Sequence, residues 1–126
     1  MLIYLYRNGG LHMLQVDIEM NAASEIFKLL GHETRLTMLK ILDDHDCCVC
    51  EFVEIFQASQ PSISQHIRKL RDSGVIEEER RGQWIFYSLN EESKHYPFII
   101  QLLKLLPDQN KKLQKLEENG TRIICE

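Results

Sequence analysis

Gln60-Pro61-Ser62-Ile63-Ser64-Gln65-His66-Ile67-Arg68-Lys69-Leu70 decides how the rest of the chain is read. Pro61 sits where the first turn of a helix tolerates proline best. Ile63, Ile67 and Leu70 follow at i, i+4 and i+7, which makes one buried stripe. Ser62, Ser64, Gln65, His66, Arg68, Lys69 and Arg71 are left on the wet face. Short polar groups at the start of such a helix and cations further along it read as a DNA-recognition helix. Gln60, Ser62, Ser64, Gln65 and His66 are placed to reach base edges, and a glutamine pairs bidentately with adenine. Arg68, Lys69 and Arg71 are expected to hold phosphates. The bland alternative for these charges is an ordinary solvated face.

Working outward, Asp72-Ser73-Gly74 closes this helix, and two β-prone runs, 75–80 and 83–89, flank Arg81-Gly82, which predicts a hairpin. Arg80 and Arg81 then lie at its tip, suited to the DNA backbone or minor groove. Trp84, Phe86 and Tyr87 read as hairpin packing rather than base-stacking groups. Upstream, a helix from Ala22 carries Ile26, Phe27, Leu29 and Leu30 and ends at Gly31. A second helix begins near His32, with Leu36, Met38, Leu39 and Leu42 as its apolar stripe. Asp43-Asp44-His45-Asp46 is expected to break it, so that a third helix starts at the cysteines and runs to Phe56. Helix, turn, recognition helix and hairpin give a fold that is mainly α with a small β-hairpin, a winged helix-turn-helix.

The remaining segments divide the chain into an N-terminal extension of uncertain structure (1–20), a winged-helix domain with a dimerisation helix (21–106) and a C-terminal tail (107–126). Met13 offers an alternative start, which would leave residues 1–12 unstructured. The run from Tyr96 to Leu106 is apolar on more than one face, so it is expected to meet its copy in a homodimer joined through terminal helices. A palindromic operator would want the same symmetry.

Three of the four cysteines fall within Cys47-Cys48-Val49-Cys50, and the fourth is Cys125. A lone cysteine is ordinarily a small buried hydrophobe, but three in one short window point to soft-ion chemistry. Thiolates select trivalent arsenic or antimony, or cadmium, over magnesium, calcium or manganese. Cys47, Cys48 and Cys50 form one candidate three-sulfur set, and Cys48, Cys50 and Cys125 another. His45 and Asp46 could complete a four-ligand zinc site. A rival reading needs no metal, because Cys47-x-x-Cys50 also spells a redox dithiol.

The chain has 126 residues, 44% hydrophobic and 27% charged, which suits one small domain. A net charge of −4 argues against coating nucleic acid indiscriminately, so DNA binding has to rest on a local basic patch. No apolar run approaches the roughly 20 residues of a membrane helix, and Met1–Tyr6 is too short for a secretory signal. A cytoplasmic protein with reduced thiols is expected. No phosphate-cradling glycine loop accompanies the thiols, so a thiol enzyme such as an arsenate reductase is disfavoured.

Leu29–Leu39, Cys48–Phe56, Gln60–Arg71 and Gly82–Leu89 together resemble the ArsR/SmtB metal-responsive repressors, over roughly Ala23 to Asn90. Cys-Val-Cys followed by an acid is similar to the thiolate box of the arsenic- and cadmium-sensing branch. The resemblance implies a homodimeric repressor that needs no cofactor to bind operator DNA and dissociates when arsenic(III), antimony(III) or cadmium(II) reaches its thiolates. Two departures stand out. The third cysteine of the arsenic-sensing pattern would fall at Val53, and the family's other metal site would fall near Glu91, Ser93, Lys104 and Pro107, which cannot reproduce it.

On a regular helix successive side chains turn by about 100°, so Cys48 and Cys50 would face nearly opposite sides. One ion could then take both only by deforming the helix that abuts the recognition helix. The helix start would also lower the cysteine pKa.

Overall fold

The recognition segment forms a helix in the computed structural model, which describes residues 1–120. Cys125 lies outside the described residues. Ser59 caps this helix, its Oγ accepting the Ser62 N–H at 3.3 Å, and Pro61 occupies the first turn. Ile63, Ile67 and Leu70 are buried as their spacing requires, and each contributes roughly 1.5–3 kcal/mol by leaving water.

The elements run in chain order β1 (Leu2–Arg7), β2 (Gly10–Gln15), α1 (Met20–Leu30), α2 (Glu33–Asp44), β3 (Cys47–Cys48), α3 (Val49–Phe56), α4 (Gln60–Asp72), β4 (Ile76–Arg81), β5 (Trp84–Leu89), α5 (Tyr96–Lys104) and α6 (Asn110–Glu118). Helices α2, α3 and α4 enclose a core of Met38, Leu39, Phe52, Ile63 and Leu70, closed from the far side by Ile100 and Leu103 of α5. β4 and β5 are antiparallel in register, with Arg81 opposite Trp84 across Gly82-Gln83. Gly82 takes φ +63 at the first turn position, which glycine alone adopts without strain. The fold is the winged helix-turn-helix that the sequence predicts.

Three expectations need correction. The third helix begins within the cysteine window, at Val49, but Cys47 and Cys48 are extended and form a third strand on β5, Cys47 opposite Tyr87 and Cys48 opposite Phe86. Helix α2 ends at Asp44, inside the acidic stretch expected to break it, and the first residue of that stretch, Asp43, is still helical. Its side chain is 2% exposed and lies between Arg7 (3.6 Å) and Lys104 (3.0 Å), and these cations offset the cost of burying a carboxylate. Residues 1–15 are not loose, since β1 and β2 pair along their whole length around Asn8-Gly9. The core covers more of α5 than its sequence suggests: Ile99, Ile100 and Leu103 are buried within one chain, while Leu105 is exposed. In the tail, α6 buries Leu113 and Leu116 and packs against α3. No helix among the described residues is long and apolar enough to cross a membrane.

Candidate thiol site and nucleic-acid interface

Cys48 stands at a junction, since its backbone is the last residue of β3 and the N-cap of α3 at once. Its φ of −98° and ψ of 169° are extended, so the helical 100° rule does not govern its side chain. The sulfur therefore swings onto that of Cys50, the second residue of α3, at 2.8 Å. The expected opposition of these two thiols is overturned, and so is the idea that they meet only if the helix unwinds.

Glu51 locks the junction. Its Oε1 accepts the Cys48 N–H at 3.0 Å while its own N–H points back at the Cys48 sulfur, a capping box with a thiol in the hydroxyl's place. Both groups are buried. Burial first, and then the hydrogen bond with Cys50, push the Cys48 thiol up to about 12, outweighing the pull of the Glu51 amide in the opposite direction. The lowered pKa expected of a helix start is not found at Cys48. The Cys48 thiol is therefore protonated at rest.

Cys47 is turned away by the alternation of its strand. It is fully buried in the core cluster, its sulfur 3.9 Å from the His45 carbonyl. The structure thus brings Cys48 and Cys50 together and leaves Cys47 on the core side. Among the described residues no three His, Cys, Asp or Glu side chains are grouped so as to hold a metal ion. A cavity of 860 Å³ lies elsewhere, between the N-terminal hairpin and the entry to α5.

On the face expected to meet DNA, Gln60, Gln65, Arg68 and Lys69 are exposed on α4, and Ser62 and Ser64 are half-buried. His66 is engaged within the protein. Its Nδ1 faces Arg35 Nη1 at 3.2 Å, and its ring lies 4.4 Å from that of His32. A guanidinium only donates, so Nδ1 accepts and the ring proton sits on Nε2. Burial, then His32, Arg35 and Lys69, hold the His66 pKa below its ordinary 6.5. Arg35 also donates from Nε to the Leu29 carbonyl at 2.6 Å, tying α1, α2 and α4 together.

The wing arginines divide. Arg80 is exposed and makes a long bond to the Gly82 carbonyl at 3.4 Å. Arg81 is held by Asp46 at 2.6 Å and Glu79 at 3.4 Å, and lies over the Phe86 ring at 4.8 Å. Arg71, expected on phosphate, instead pairs with Glu78 of the wing at 3.3 Å. The roles of Glu51 and Asp46 were not read from sequence. Cys-x-x-Glu at a helix start was the available signal for the first, whereas Asp46 meets Arg81 only through the tertiary fold.

Residues 32–78 match the family described as "Bacterial regulatory protein, arsR family". The chain is 37% identical over 68% of its length to the Arsenic resistance transcriptional regulator ArsR1 of Pseudomonas putida, covering 66% of that protein. It is 38% identical over 80% of its length to the Arsenical resistance operon repressor of Escherichia coli, covering 86% of it. Among solved structures, the transcriptional repressor BigR of Xylella fastidiosa superposes with a TM-score of 0.61 at 30% identity, over 68% of this chain and 84% of that one.

Proposed function

We propose, given that the chain belongs to the ArsR family of DNA-binding transcriptional repressors rather than to any enzyme class, that it acts in the cytoplasm as a homodimer on an inverted-repeat operator. In this reading it lets go when trivalent arsenic or antimony, or cadmium, is captured by Cys48 and Cys50. The observation that carries the reading is the convergence of these two sulfurs at 2.8 Å on the first turn of α3, the helix packed against α4. Soft sulfur donors suit such ions, and the names of the relatives, arsenic and arsenical resistance regulators, agree with them. A third donor falls to Cys125 or Cys47. Cys125 is favoured, because α6, just ahead of it in sequence, packs on α3, while Cys47 faces the core.

The coupling follows from where Cys48 sits. A sulfur drawn into bonding gives up the Glu51 N–H, and loss of a cap costs a helix about 1 kcal/mol. The same residue stands opposite Phe86 of the wing in the β3–β5 ladder, so any displacement is felt on both sides of the reading head. To pass from nearly all bound to nearly all free, the captured ion must favour the released form by about 5.5 kcal/mol. Bonds to sulfur supply that readily.

The same contact also supports a thiol-redox reading, in which peroxide or polysulfide oxidises the pair without any metal. Mobility-shift titration of DNA from upstream of the protein's own gene distinguishes the two. Release by arsenite, antimonite or cadmium under reducing conditions supports the ion reading. Release by oxidant alone supports the redox one, and retention under every condition contradicts both.

A further inference from the structure

The N-terminal hairpin lies outside everything the DNA and thiol sites account for, and its two faces differ sharply. Its inner face is docked: Ile3 and Leu5 are buried, and Arg7 pairs with Glu91 at 3.0 Å and lies 5.3 Å over the Tyr96 ring. Its outer face is bare. Tyr4 stands opposite Met13 and Tyr6 opposite Leu11, with Leu2 beside them opposite Gln15. Directly opposite residues of an antiparallel pair share a face. These five apolar side chains are between 55 and 72% exposed, and no charged residue stands among them.

At roughly 200 Å² for a full-sized side chain, the five together leave about 600 Å² of largely apolar surface in water. That is at the upper end of what a monomer shows, and it approaches the about 800 Å² that each partner gives to a standard interface. Tyrosine and methionine enriched and charge depleted is also the composition of an interface core. The docking of Arg7, Ile3 and Leu5 fixes this face in position, so no hinge is needed to present it.

We propose that the outer face of the β1–β2 hairpin packs on a second copy of this chain, the pair of hairpins forming part of the homodimer interface. A two-fold contact uses the same patch on both subunits, and an uncharged face sets no like charges against each other. Tyr4 and Tyr6 carry hydroxyls at the rim of an apolar patch, which lets them anchor it and still hydrogen-bond. The hairpin also leads into α1 through only Val16–Glu19, so a dimer built through terminal helices carries the hairpins with it. The inference rests on the homodimer reading above.

The test is sedimentation equilibrium on the full chain, wild type beside the double variant Tyr4→Asp/Met13→Asp, with Leu105→Asp on the exposed end of α5 as comparison. Both hairpin positions are exposed, so circular dichroism and melting should show a retained fold. The dimer dissociation constant should rise by about 30-fold or more, the scale of losing a hot-spot aromatic. An unchanged constant in the double variant, while Leu105→Asp splits the dimer, overturns this proposal alone. A wild type that stays monomeric throughout overturns the homodimer reading and the proposal with it. Tyrosine nitration of the wild type gives a measurement independent of folding variants. Protection of Tyr4 and Tyr6 that appears only at concentrations where the dimer forms supports the proposal, and equal labelling of both states assigns the face to another partner and contradicts it.

Discussion

Asp46 and Arg81 meet at 2.6 Å across the gap between the segment that carries the thiols and the wing that follows the recognition helix. Asp46 precedes the strand Cys47–Cys48, and Arg81 ends β4 while lying over Phe86, the residue paired with Cys48. The wing and the thiol strand are thus joined by a backbone ladder and by a side-chain clasp. Asp46→Asn should cost under about 1 kcal/mol of stability, as partly exposed ion pairs do. Its larger effect should be on coupling: the ratio of operator affinities without and with inducer should fall about 5-fold or more, while inducer affinity of the DNA-free protein holds. Fluorescence anisotropy with and without inducer measures both.

Because the Cys48 thiol is pushed up to about 12, it is protonated at neutral pH, and the two classes of inducer should differ in pH dependence. Cadmium must displace that proton, so its affinity should rise by about tenfold per pH unit for each thiol ionised. Arsenous acid exchanges its hydroxyl groups for thiolates, each hydroxyl leaving with a thiol proton as water, so that no net proton is released. Its affinity should stay nearly flat between about pH 6 and 8. Competition titrations across that range check the contrast, and a flat cadmium profile would contradict a protonated Cys48.

His66 accepts a hydrogen bond from Arg35 on a nitrogen that protonation would block. Its folded-state pKa lies below the ordinary 6.5, so below that value the unfolded chain binds the extra proton and the folded one resists it. The stability His66 contributes is present above about pH 6.5 and is lost as pH falls through the lower folded value. Melting temperature should therefore drop between pH 7.5 and 5, and His66→Gln should lose part of that drop. Equal slopes for the two proteins would show that the Arg35 contact is not what responds.

Cys47 is packed in the core, whereas Cys125 follows the helix that rests on α3. Cys47→Ala should cost about 1 kcal/mol of stability and leave arsenite-driven release within about threefold. Cys125→Ala should weaken that release by tenfold or more, in keeping with loss of one of three donors. Paired denaturation and release assays tell the roles apart, and the reverse pattern would make Cys47 the third donor.

The recognition helix and the wing could be read from sequence because each is fixed locally, by the Ile63/Ile67/Leu70 spacing and by β-prone runs around Gly82. The thiol site could be located but not drawn. Whether Cys48 is helical or extended depends on its pairing with Phe86, about forty residues away in the chain, and that one backbone state reverses the angle between Cys48 and Cys50. The acidic stretch in which α2 ends could be read as well, but not the burial of Asp43 within it, because the cations that offset the cost of a buried carboxylate, Arg7 and Lys104, come from distant elements. The same holds for Arg81, which tip position assigns to DNA and Asp46 draws inward.

In the proposed mechanism the Cys48–Cys50 pair both receives the inducer and sets the grip on DNA. Operator affinity of wild type, Cys48→Ser and Cys50→Ser, each measured by anisotropy before and after arsenite under reducing conditions, tests it most directly. Serine at the cap still accepts the Glu51 N–H, so both variants should bind operator within about threefold of wild type and should stay bound when arsenite is added. Variants that still release the operator on arsenite would contradict the account.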